Sequence, residues 1–557
     1  MEERDRNASD LLERAIAALR TRGHFSAFPE LPSGKIYGEG AREEGQRAFE
    51  AHLERPFRLD QPTSGAWLGG EESPYGFPLG IRYPAPDPDG MIKAALSALP
   101  RWRDCGVERR AEVCLDILER LNRRSFELAY AVMHTTGQGF VMAFQAGGPH
   151  AQDRGLEALA CAVDLMRRTP ARALWEKRVG RDEVARFDKR YRIAPRGLAL
   201  VIGCSTFPTW NSYPALFADL ATGNPVLVKP HPRAVLPLAL TVQIARQALD
   251  DAGFDPNLVQ LVVDSEGEPI AKSLATRPEV RLIDFTGSSA FGNWLEQHCP
   301  QAAVFTEKSG VNSVVVDSTD DFRGMVRNLA FSLSLYAGQM CTTPQNIFVP
   351  ASGIATDQGH KGFEEVAGAL VEAVDRLLAD PKRAVEVLGC IQNPATVERI
   401  DRVARAAGSA VLRPSAPLVH PEHPKARVHT PLLVQAESGE EELYLQELFG
   451  PIAFVIEADS TADAIARAAK AAREKGAITA SVYSTREEVL ADMERAMLEC
   501  GVALSENLTG GVYVNQSAAF SDFHATGLNP AANASLVDEA FVAPRFHVVQ
   551  LRRPLGG

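Results

Sequence analysis

The chain has 557 residues, which is too long for one hydrophobic core and predicts two or three domains. Its composition, with 45% hydrophobic and 23% charged residues, excludes a wholly disordered or collagen-like protein. The formal net charge of -12 argues against a nucleic-acid partner, because such binding depends on Lys and Arg side chains that neutralise phosphates.

The beginning of the chain is charged throughout and lacks the apolar centre of a secretory signal. The apolar run 197–204 is far shorter than the roughly 20 residues that a membrane helix needs. We therefore expect a cytoplasmic protein without a membrane partner. The cysteines are scattered and form no CxxC pair, which argues against a zinc finger or a thioredoxin-like site, and no metal is predicted.

In chain order, the first predicted elements are helices. Charged helical patterns and loops rich in Pro and Gly occupy about the first hundred residues. From residue 91 to about 136 apolar residues recur at helical spacing, which predicts a helical layer. The segment 171–193 alternates charged with aromatic or aliphatic residues and predicts a protruding hairpin.

From residue 195 onward, predicted strands and helices alternate. Apolar runs at 197–203, 224–230, 258–264 and 280–288 are typical of buried parallel strands, and the amphipathic stretch 238–253 predicts a helix closed by Gly253. This alternation predicts βαβ units and a parallel sheet covered by helices on both faces. A second alternating stretch begins near Asn312 and predicts a second α/β domain, and the sequence 545–554 predicts a final strand.

Two short motifs are candidates for anion or nucleotide binding. "FTGSSAFG" (285–292) contains Gly287, Ser288 and Gly292 where a strand turns into a helix, and small residues there let backbone N–H groups approach an anion. Lys229 ends a buried strand and could hold a ribose hydroxyl or a phosphate. Taken alone, these features are equally well a tight βα turn and a solvated lysine.

Two further residues are candidates for covalent chemistry. Cys341 lies in the turn-like stretch "GQMCTT" (338–343), and Glu307 follows an apolar run. A thiol and a carboxylate that meet in a cleft can act as nucleophile and general base. The alternatives are a buried packing thiol and a cap at the end of a strand.

Taken together and in this order, "LATGNPVLVKP", "FTGSSAFG", Glu307, "GQMCTT" and "QELFGP" (446–451) resemble the aldehyde dehydrogenase superfamily over about residues 195–515. The resemblance implies an α/β fold with two parallel-sheet domains, a small oligomerisation hairpin and a tail strand. Within the superfamily, the phrases at 203–232 and 334–350 resemble most the PaaN group of phenylacetic acid degradation. That group is related to semialdehyde dehydrogenases that act on CoA-linked ring-cleavage products.

The resemblance also implies a division of the chain and an oligomeric state. We expect a helical N-terminal part of the cofactor-binding domain (1–170), an oligomerisation hairpin (171–193), a Rossmann-like cofactor-binding domain (194–308), a catalytic domain (309–510), and a C-terminal substrate loop with an oligomerisation strand (511–557). Family members are usually dimers or tetramers, so a homodimer or homotetramer is expected.

Roles are assigned by position in the family's motifs. Cys341 matches the nucleophile and Glu307 the general base. Lys229 matches the lysine on the adenosine ribose, and Ser288 the residue at the pyrophosphate. The residues expected at the cofactor are therefore Lys229, His231, Gly287, Ser288, Gly292, Glu447 and Phe449, of which the last two match the pair at the nicotinamide riboside.

The sequence departs from the family's pattern in three places. Its "CSTFP" (204–208) replaces Pro-Trp-Asn-Phe-Pro, so the oxyanion asparagine falls on Thr206, with Asn211 as the alternative donor. The stretch "EKSGVN" (307–312) is two residues shorter than its counterpart, so the family's movement of the glutamate side chain is not carried over to Glu307. Pro232 stands where many NAD-preferring members carry a glutamate, so Lys229 and His231 favour NADP over NAD.

The resemblance predicts NAD(P)-dependent oxidation of an aldehyde to the acid through a thiohemiacetal and a thioester on Cys341, which is hydrolysed with Glu307. The expected substrate is a CoA-linked semialdehyde of aromatic catabolism. Alternatives that stay open are a CoA-acylating enzyme, a cofactor-independent thioesterase, and a catalytically weak scaffold in a degradation complex. Substrate contacts are expected from two loops, although each aromatic side chain could instead pack in a core. The candidates are Phe207, Trp210, Phe520 and His524.

Overall fold

A computed structural model of the protein describes residues 2–555, with side chains from residue 10 onward. Its centre is formed by two parallel β-sheets that follow one another along the chain. The helical layer predicted between residues 91 and 136 is present as three consecutive helices, Pro88–Asp104, Val107–Arg123 and Ser125–Thr136. The α/β class predicted from the alternating pattern is therefore observed.

The first sheet has five strands, all parallel to their neighbours. Most of the residues in its strands are buried and apolar, as expected for a sheet covered on both faces. In spatial order they are Ala303–Glu307, Val280–Thr286, Leu198–Ile202, Val226–Lys229 and Val259–Leu261.

The second sheet has seven strands and is parallel apart from one antiparallel edge strand. In spatial order its strands are Val411–Arg413, Leu432–Glu437, Ile452–Ala458, Pro344–Pro350, Asn312–Val316, Thr479–Tyr483 and Ala503–Glu506. The strand Pro344–Pro350 is entirely buried and central, so the chain just before it enters the sheet between neighbours on both sides.

Helices surround both sheets, and two of those beside the first sheet are almost fully buried. Gly155 in the helix Pro149–Arg167 faces Phe217 in the helix Pro208–Thr222, where a Cβ would lie 2.6 Å from the Phe217 ring. Among residues 2–555, no helix has the length and apolar character needed to cross a membrane. The remaining helices are Glu2–Thr21, Gly34–Tyr37, Ala41–Glu50, Phe140–Gly147, Leu236–Asp251, Ala271–Ala275, Ser289–His298, Phe322–Ser334, Phe363–Leu377, Pro381–Leu388, Pro394–Ala407, Glu441–Tyr444, Thr461–Lys475, Glu487–Cys500 and Glu539–Val542.

Short 3₁₀ turns and small two- and three-stranded sheets complete the secondary structure. The 3₁₀ turns are Pro256–Leu258, Leu335–Gly338, Gly408–Ala410 and Ala543–Arg545. The strands of the small sheets are Thr63–Gly69 with Arg82–Pro86, Glu72–Ser73 with Phe77–Pro78, Pro417–Leu418 with Val428–His429, and Ser318–Thr319 with Ile354–Thr356 and Gly359–Lys361.

The hairpin and the tail strand predicted from the sequence form one antiparallel sheet of three strands. The whole of the tail Phe546–Pro554 pairs with residues 187–195 of the strand Val184–Pro195, which in turn pairs with Arg172–Arg178. Apolar side chains are exposed on this sheet, including Leu174 at 62% and Val549 at 48% of full exposure. An exposed apolar sheet of this kind is typical of an interaction surface.

The tail is fixed to the first sheet by Arg545, which is fully buried. Its guanidinium lies 2.7 Å from the Asp219 carboxylate and 2.6 Å from the Asp284 carboxylate, and it donates a further bond to the Phe541 carbonyl. The same group lies over the Phe305 and Phe541 rings. We call Arg545, Asp219 and Asp284 the tail cluster, because these residues join the end of the chain to the helix Pro208–Thr222 and the strand Val280–Thr286.

Candidate active site

The loop that carries Cys341 has an unusual backbone. Tyr336, Ala337 and Gly338 all have left-handed φ angles, of 52°, 48° and 64°. Such angles are unfavourable for residues with a Cβ and persist only where contacts impose them. The Tyr336 hydroxyl donates to the Thr136 carbonyl at 2.5 Å, and the Asn312 amide donates to the Cys341 carbonyl at 2.8 Å. These bonds hold the half-buried Cys341 just before the central strand of the second sheet.

Glu307 approaches Cys341 from the other sheet. It is the last residue of the strand Ala303–Glu307 and is buried. His524, from the C-terminal segment, lies between them, with its Nε2 3.1 Å from Glu307 Oε1 and 3.5 Å from Cys341 Sγ. The donor atoms of the three residues all lie within 4.8 Å of one another, close enough that they could also hold a metal ion. The two parallel sheets thus bring together a thiol, an imidazole and a carboxylate.

The second oxygen of Glu307 is bound by Asn211, whose Nδ2 donates to Oε2 at 2.9 Å. Asn211 Oδ1 faces the Cys204 thiol at 3.6 Å. Asn211 lies in the first turn of the helix Pro208–Thr222 and is buried. Both oxygens of Glu307 therefore have partners, and the Asn211 amide, predicted as a candidate oxyanion donor, is engaged by the carboxylate here.

The environment lowers the pKa of Glu307 and raises the pKa of Cys341. Burial opposes the ionisation of Glu307, but the nearby His524 and hydrogen bonds from His524, Cys341 and Asn211 outweigh it, so the pKa of Glu307 lies below its ordinary value. Burial and the adjacent Glu307 charge raise the pKa of Cys341 well above that of a free thiol. The resting pair is thus an ionised carboxylate beside a protonated thiol.

His524 is itself held by several contacts. Its backbone exchanges two hydrogen bonds with Leu536, of 2.7 and 2.9 Å. Trp210 lies edge-on to the imidazole with ring centres 4.8 Å apart, and the buried Arg154 guanidinium lies over Trp210. Arg154 also donates to the Ser517 hydroxyl and to carbonyl oxygens of the segment that carries His524. The imidazole is thereby fixed in one place.

A small cavity adjoins this centre. It has a volume of about 30 Å³ and is lined by Asn211, Glu307 and His524 on one side and by Asp284 and Phe541 on the other. This is room for one water molecule. His524 Nδ1 has no hydrogen-bond partner among the described residues.

The other residues predicted at the substrate are placed differently from one another. Trp210 and Phe207 are half-buried, and the Phe207 ring lies edge-on to Tyr336 at 5.7 Å. Phe520 is fully buried and packs edge-on against Phe25, so the structure places it in the core rather than at the site. The predicted alternative of core packing therefore applies to Phe520.

Thr206 lies in the loop before the helix Pro208–Thr222. Its carbonyl oxygen accepts a hydrogen bond of 2.9 Å from the Gln138 amide, and the residue is half-buried. The loop is thus fixed by a side chain from the N-terminal helical layer. Gln138 follows directly after the helical layer, which was predicted to end at about residue 136, and no role was predicted for it.

The expected ribose lysine has a partner that the sequence did not suggest. Lys229 is buried, and its Nζ lies 2.7 Å from Asp264 Oδ1. Asp264 follows the neighbouring strand Val259–Leu261 and also accepts from the Ile270 N–H. The apolar run 258–264 therefore forms only a short strand, because Asp264 turns away to these two partners.

His231 and Arg233 lie close to Lys229 in the chain, and the charges of Lys229 and Arg233 act on His231. Burial and the nearby Lys229 and Arg233 charges lower the pKa of His231 to about 4, so its imidazole is neutral at physiological pH. Arg233 is paired with Glu266 at 2.5 Å. His231 therefore adds no positive charge here at physiological pH, and two carboxylates, Asp264 and Glu266, line the cavity that adjoins it.

The remaining residues predicted at the cofactor line the turn after the strand Val280–Thr286. Ser288 caps the helix Ser289–His298 by accepting from the Phe291 N–H, and a Cβ on Gly287 would lie 2.6 Å from the Phe285 ring. Gly292 is buried in that helix against the Lys308 side chain.

Glu447 and Phe449 come from the loop before the strand Ile452–Ala458. Burial raises the pKa of Glu447, and its Oε1 accepts a long bond of 3.4 Å from the Gly310 N–H. The Phe449 carbonyl accepts from Arg399 at 2.5 Å. This loop therefore contacts the segment just after Glu307.

Comparison with known proteins decides the family. The sequence profile described as "Aldehyde dehydrogenase family" matches residues 82–533, most of the chain. The chain belongs to the aldehyde dehydrogenase family. The fold class and the enzyme class predicted from the motifs are confirmed.

This aldehyde dehydrogenase is similar to several named proteins. A crystal structure of an NAD-dependent aldehyde dehydrogenase from Burkholderia multivorans is 56% identical, with a TM-score of 0.97, and covers 100% of this chain and 99% of that one. The N-succinylglutamate 5-semialdehyde dehydrogenase of Paraburkholderia xenovorans is 26% identical over 423 residues, 74% of this chain and 78% of that protein. A 1-pyrroline-5-carboxylate dehydrogenase from Thermus with bound NAD shares the fold, with 19% identity and a TM-score of 0.72 over 96% of this chain and 99% of that one.

The crevice beside Lys229 has the properties that a nucleotide cofactor requires. A cavity of about 340 Å³ opens at the carboxyl ends of the strands Val226–Lys229 and Val259–Leu261, where parallel sheets bind ligands. Arg233, Asp264 and Glu266 are among its lining residues. Its lining combines apolar residues such as Val235 and Val263 with several charged ones, so it offers both contact surface and hydrogen-bonding groups to a nucleotide.

Sequence reasoning did not find three residues of this aldehyde dehydrogenase site in their observed roles. His524 was predicted only as a substrate contact, and Asp264 and Asn312 were not singled out. The signal in each case was weak, since each is a single polar residue at the end of an apolar or loop segment. The contacts with the predicted site residues are distant in sequence: Asn312 lies 29 residues from Cys341, and His524 lies 183 residues from it.

Proposed function

We propose that this aldehyde dehydrogenase oxidises its substrate to the carboxylic acid through a thioester on Cys341 that is hydrolysed with the help of Glu307. The observation that carries the proposal is the meeting of the Cys341 thiol and the Glu307 carboxylate, with donor atoms within 4.8 Å, where the two parallel sheets adjoin. A nucleophile and a general base acting on one carbon allow the oxidation to proceed in two easier stages.

In the first stage the Cys341 sulfur adds to the aldehyde carbon, and the carbonyl oxygen becomes an alkoxide. Hydrogen-bond donors must stabilise that oxygen, and removing one such donor costs on the order of a hundredfold in rate. The backbone N–H of Cys341 is one expected donor. The second is Thr206 or Asn211, and Asn211 can serve only when its amide releases Glu307.

NAD or NADP, when bound, would supply the acceptor for the hydride that leaves the carbon attached to sulfur. Lys229, Ser288, Glu447 and Phe449 are the residues that would hold it. In the second stage Glu307, kept ionised by its neighbours, removes a proton from the water that attacks the thioester.

The test is a turnover screen of free aliphatic, free aromatic and CoA-linked aldehydes with each nicotinamide cofactor, beside Cys341→Ala. We expect formation of reduced cofactor and free acid, and a loss of about 10⁴-fold or more in the variant. Turnover that ignores the cofactor would instead indicate a thioesterase, acyl-CoA as the product would indicate an acylating enzyme, and activity retained without Cys341 would sink the proposal.

We further propose that NAD is preferred over NADP, in contrast to the expectation from Pro232. Asp264 and Glu266 place two carboxylates at the crevice where a 2′-phosphate would lie, each paired with one cation, Lys229 or Arg233. A carboxylate accepts a bond from a ribose hydroxyl but repels a phosphate. The NAD-dependent relative from Burkholderia multivorans supports the same preference.

The Asp264→Asn variant should raise the NADP-to-NAD ratio of kcat/KM by about tenfold, since one repulsive charge is removed. Glu268→Gln is a matched control, because this exposed residue is in the same loop but is not among the residues that line the cavity. An unchanged ratio in Asp264→Asn would contradict the proposed role of this carboxylate.

The substrate that we propose is a CoA-linked semialdehyde of aromatic catabolism. Support comes from the phrases at 203–232 and 334–350 that resemble the PaaN group. The similarity to N-succinylglutamate 5-semialdehyde dehydrogenases favours a second candidate, a semialdehyde that carries a carboxylate. The same screen, extended to dicarboxylic semialdehydes, separates the two by their kcat/KM values.

We also propose that the chain forms a homodimer or homotetramer through the three-stranded antiparallel sheet. The exposed Leu174, Val548, Val549 and Leu551 side chains on this sheet support the proposal. Light scattering on the wild-type chain and on Val549→Glu tests it. A wild-type monomer at micromolar concentration would contradict it.

A further inference from the structure

We propose that His524 is a third catalytic residue, which accepts the proton of the Cys341 thiol as the sulfur attacks the aldehyde. The inference rests on the proposed function for the reaction that it serves. Its chemical content, activation of the thiol by an imidazole, can be measured without aldehyde or nicotinamide.

The position of one nitrogen carries the proposal. His524 Nε2 lies 3.5 Å from Cys341 Sγ, within the range of a hydrogen bond to sulfur, and 3.1 Å from Glu307 Oε1. His524 is 3% exposed, so these contacts are made away from bulk water. A base in contact with its nucleophile is the arrangement of an activated cysteine, and Glu307, beside the same nitrogen, stabilises that nitrogen once it is protonated.

The charges around the imidazole favour this role. Glu307 faces it directly, and an anion there stabilises the imidazolium that forms on proton transfer. The Cys204 thiol lies beyond Asn211, and the Arg154 cation is separated from the imidazole by the Trp210 ring. Glu307 is itself a weaker base, because its neighbours lower its pKa, and burial makes the unaided ionisation of Cys341 unfavourable.

The other nitrogen can complete the cation. Nδ1 has no partner among the described residues, and the imidazole lines the cavity of about 30 Å³. A water molecule in that cavity could accept from Nδ1–H, since a buried donor needs a partner. The cavity therefore has room for a water molecule that accepts a hydrogen bond from Nδ1–H of the imidazolium, for which no side chain among the described residues is in place.

The proposed step balances as follows. The S–H bond of Cys341 breaks and an N–H bond forms at His524 Nε2, while the S–C bond to the aldehyde carbon forms and the carbonyl π pair moves to oxygen. The step uses the tautomer of His524 that carries its proton on Nδ1, so that Nε2 can accept the thiol proton, and Nδ1 keeps its own proton throughout. Only the Nε2–H formed in this step donates to Glu307. The imidazolium then lies between the sulfur and the Glu307 carboxylate, so that the negative charge on Glu307 is offset before Glu307 acts on water.

The contacts that hold His524 identify Arg154 as a positioning residue. It binds the segment 517–536 through one hydroxyl and several carbonyl oxygens and lies over Trp210, which in turn contacts the imidazole. Arg154 touches no reacting atom and acts only through these neighbours.

The experiment measures alkylation of Cys341 by iodoacetamide from pH 5 to 10, followed by mass spectrometry of the Cys341 peptide. The proteins are the full chain, His524→Gln, His524→Asn and, as a control, His150→Gln, whose imidazole is paired with Glu30 away from the site. EDTA is included, so that a divalent metal ion cannot contribute to the reactivity of the thiol.

We expect the two His524 variants to react at least tenfold more slowly than the wild type at pH 6 and to converge with it near pH 10, where a thiol ionises without help. A tenfold change corresponds to one unit in the apparent pKa of the thiol. The control should follow the wild-type profile. Using two variants of different size, each checked for an unchanged melting temperature, separates the effect from misfolding.

Equal pH profiles for the wild type and a folded His524 variant would overturn the proposal. If the wild type shows no aldehyde oxidation while the His524 variants still lose reactivity at pH 6, the proposed function fails and the activation of the thiol stands. If the wild type oxidises aldehydes with unchanged alkylation profiles in the variants, only the role of His524 fails.

Discussion

Two basic side chains from the last part of the chain, His524 and Arg545, are each inserted between buried groups, and their surroundings differ. Arg545 donates to two carboxylates and a carbonyl and lies over two aromatic rings. His524 uses one nitrogen for both Glu307 and Cys341, and its other nitrogen has no partner among the described side chains and backbone groups. The guanidinium of the tail cluster is thus bound by several acceptors, whereas one nitrogen of His524 has no hydrogen-bond partner among the described residues.

The difference indicates what each cluster does. A buried cation bound by several acceptors fixes the structure, because loss of any partner leaves a charge uncompensated. A group with an unused nitrogen beside a water-sized cavity can gain and lose a proton without breaking the fold. Variants in the two regions should therefore divide into those that change stability and those that change activity.

The largest effect is expected from Arg545→Leu. Removing the guanidinium leaves the Asp219 and Asp284 carboxylates buried without their cation, and loss of one partner from such a group costs about 3–5 kcal/mol. Urea unfolding followed by circular dichroism measures the change. Arg552→Leu, on the exposed tail strand, should change the unfolding free energy by less than about 0.5 kcal/mol. Equal stability of the two variants would contradict the structural role of the tail cluster.

The second prediction concerns activity at the His524 site. Asn211→Ala removes the hydrogen bond to Glu307 Oε2, so the pKa of Glu307 rises. Because Glu307 acts as a base only when ionised, the acidic limb of the kcat profile should move to higher pH. A loss of about a hundredfold at neutral pH is expected if Asn211 is also the oxyanion donor, and only the shift of the limb if Thr206 is.

A neighbouring change provides the control for Asn211. Thr209→Val removes a bond to the Gly147 carbonyl in the same helical turn but does not touch Glu307. Its pH profile should match the wild type. A profile that moves equally in both variants would assign the effect to the helix rather than to the contact with the carboxylate.

The smallest effect is expected on the pH dependence of stability, which Asp219→Asn tests. Burial raises the pKa of Asp219 to about 7, despite the nearby Arg545. The folded protein therefore keeps a proton that the unfolded chain loses near its ordinary value of 3.8, so this group contributes stability that is present below that value and is lost as the pH rises to about 7.

The variant should flatten this dependence. Melting temperatures of the wild type and Asp219→Asn, measured at several values between pH 4.5 and 7.5, give the difference in slope. Asp250→Asn, at an exposed position near the end of a helix, serves as the control. A steeper fall in the Asn variant would show that the sign is wrong.

Local patterns in the sequence predicted the elements well and their partners poorly. The apolar runs at 197–203 and 280–288 predicted two central strands because a strand buried on both faces needs a continuous apolar run. The strand predicted at 258–264 is shorter in the structure, Val259–Leu261, and Asp264 beyond its end pairs with Lys229. The pairing of Lys229, like the contact of His524 with Cys341, depends on the folded chain and has no local signature.

Some expectations stay predictions. The cytoplasmic location inferred from the charged start of the chain is one of them, and the division at residues 170, 193, 308 and 510 is another. Motif positions identified Cys341 and Glu307 because a resemblance can transfer a role residue by residue. At Thr206 and Pro232 the sequence departs from the family's motif, so a role could not be assigned there by resemblance and the surroundings had to be read from the structure.

The C-terminal placement of His524 and Arg545 has a consequence for biosynthesis. A growing polypeptide can contain every strand of both parallel sheets and the thiol of Cys341, yet it lacks the imidazole beside that thiol and the guanidinium that fastens the tail. A chain cut before residue 524 would therefore keep both parallel sheets and the thiol but lack the imidazole that we propose to activate it.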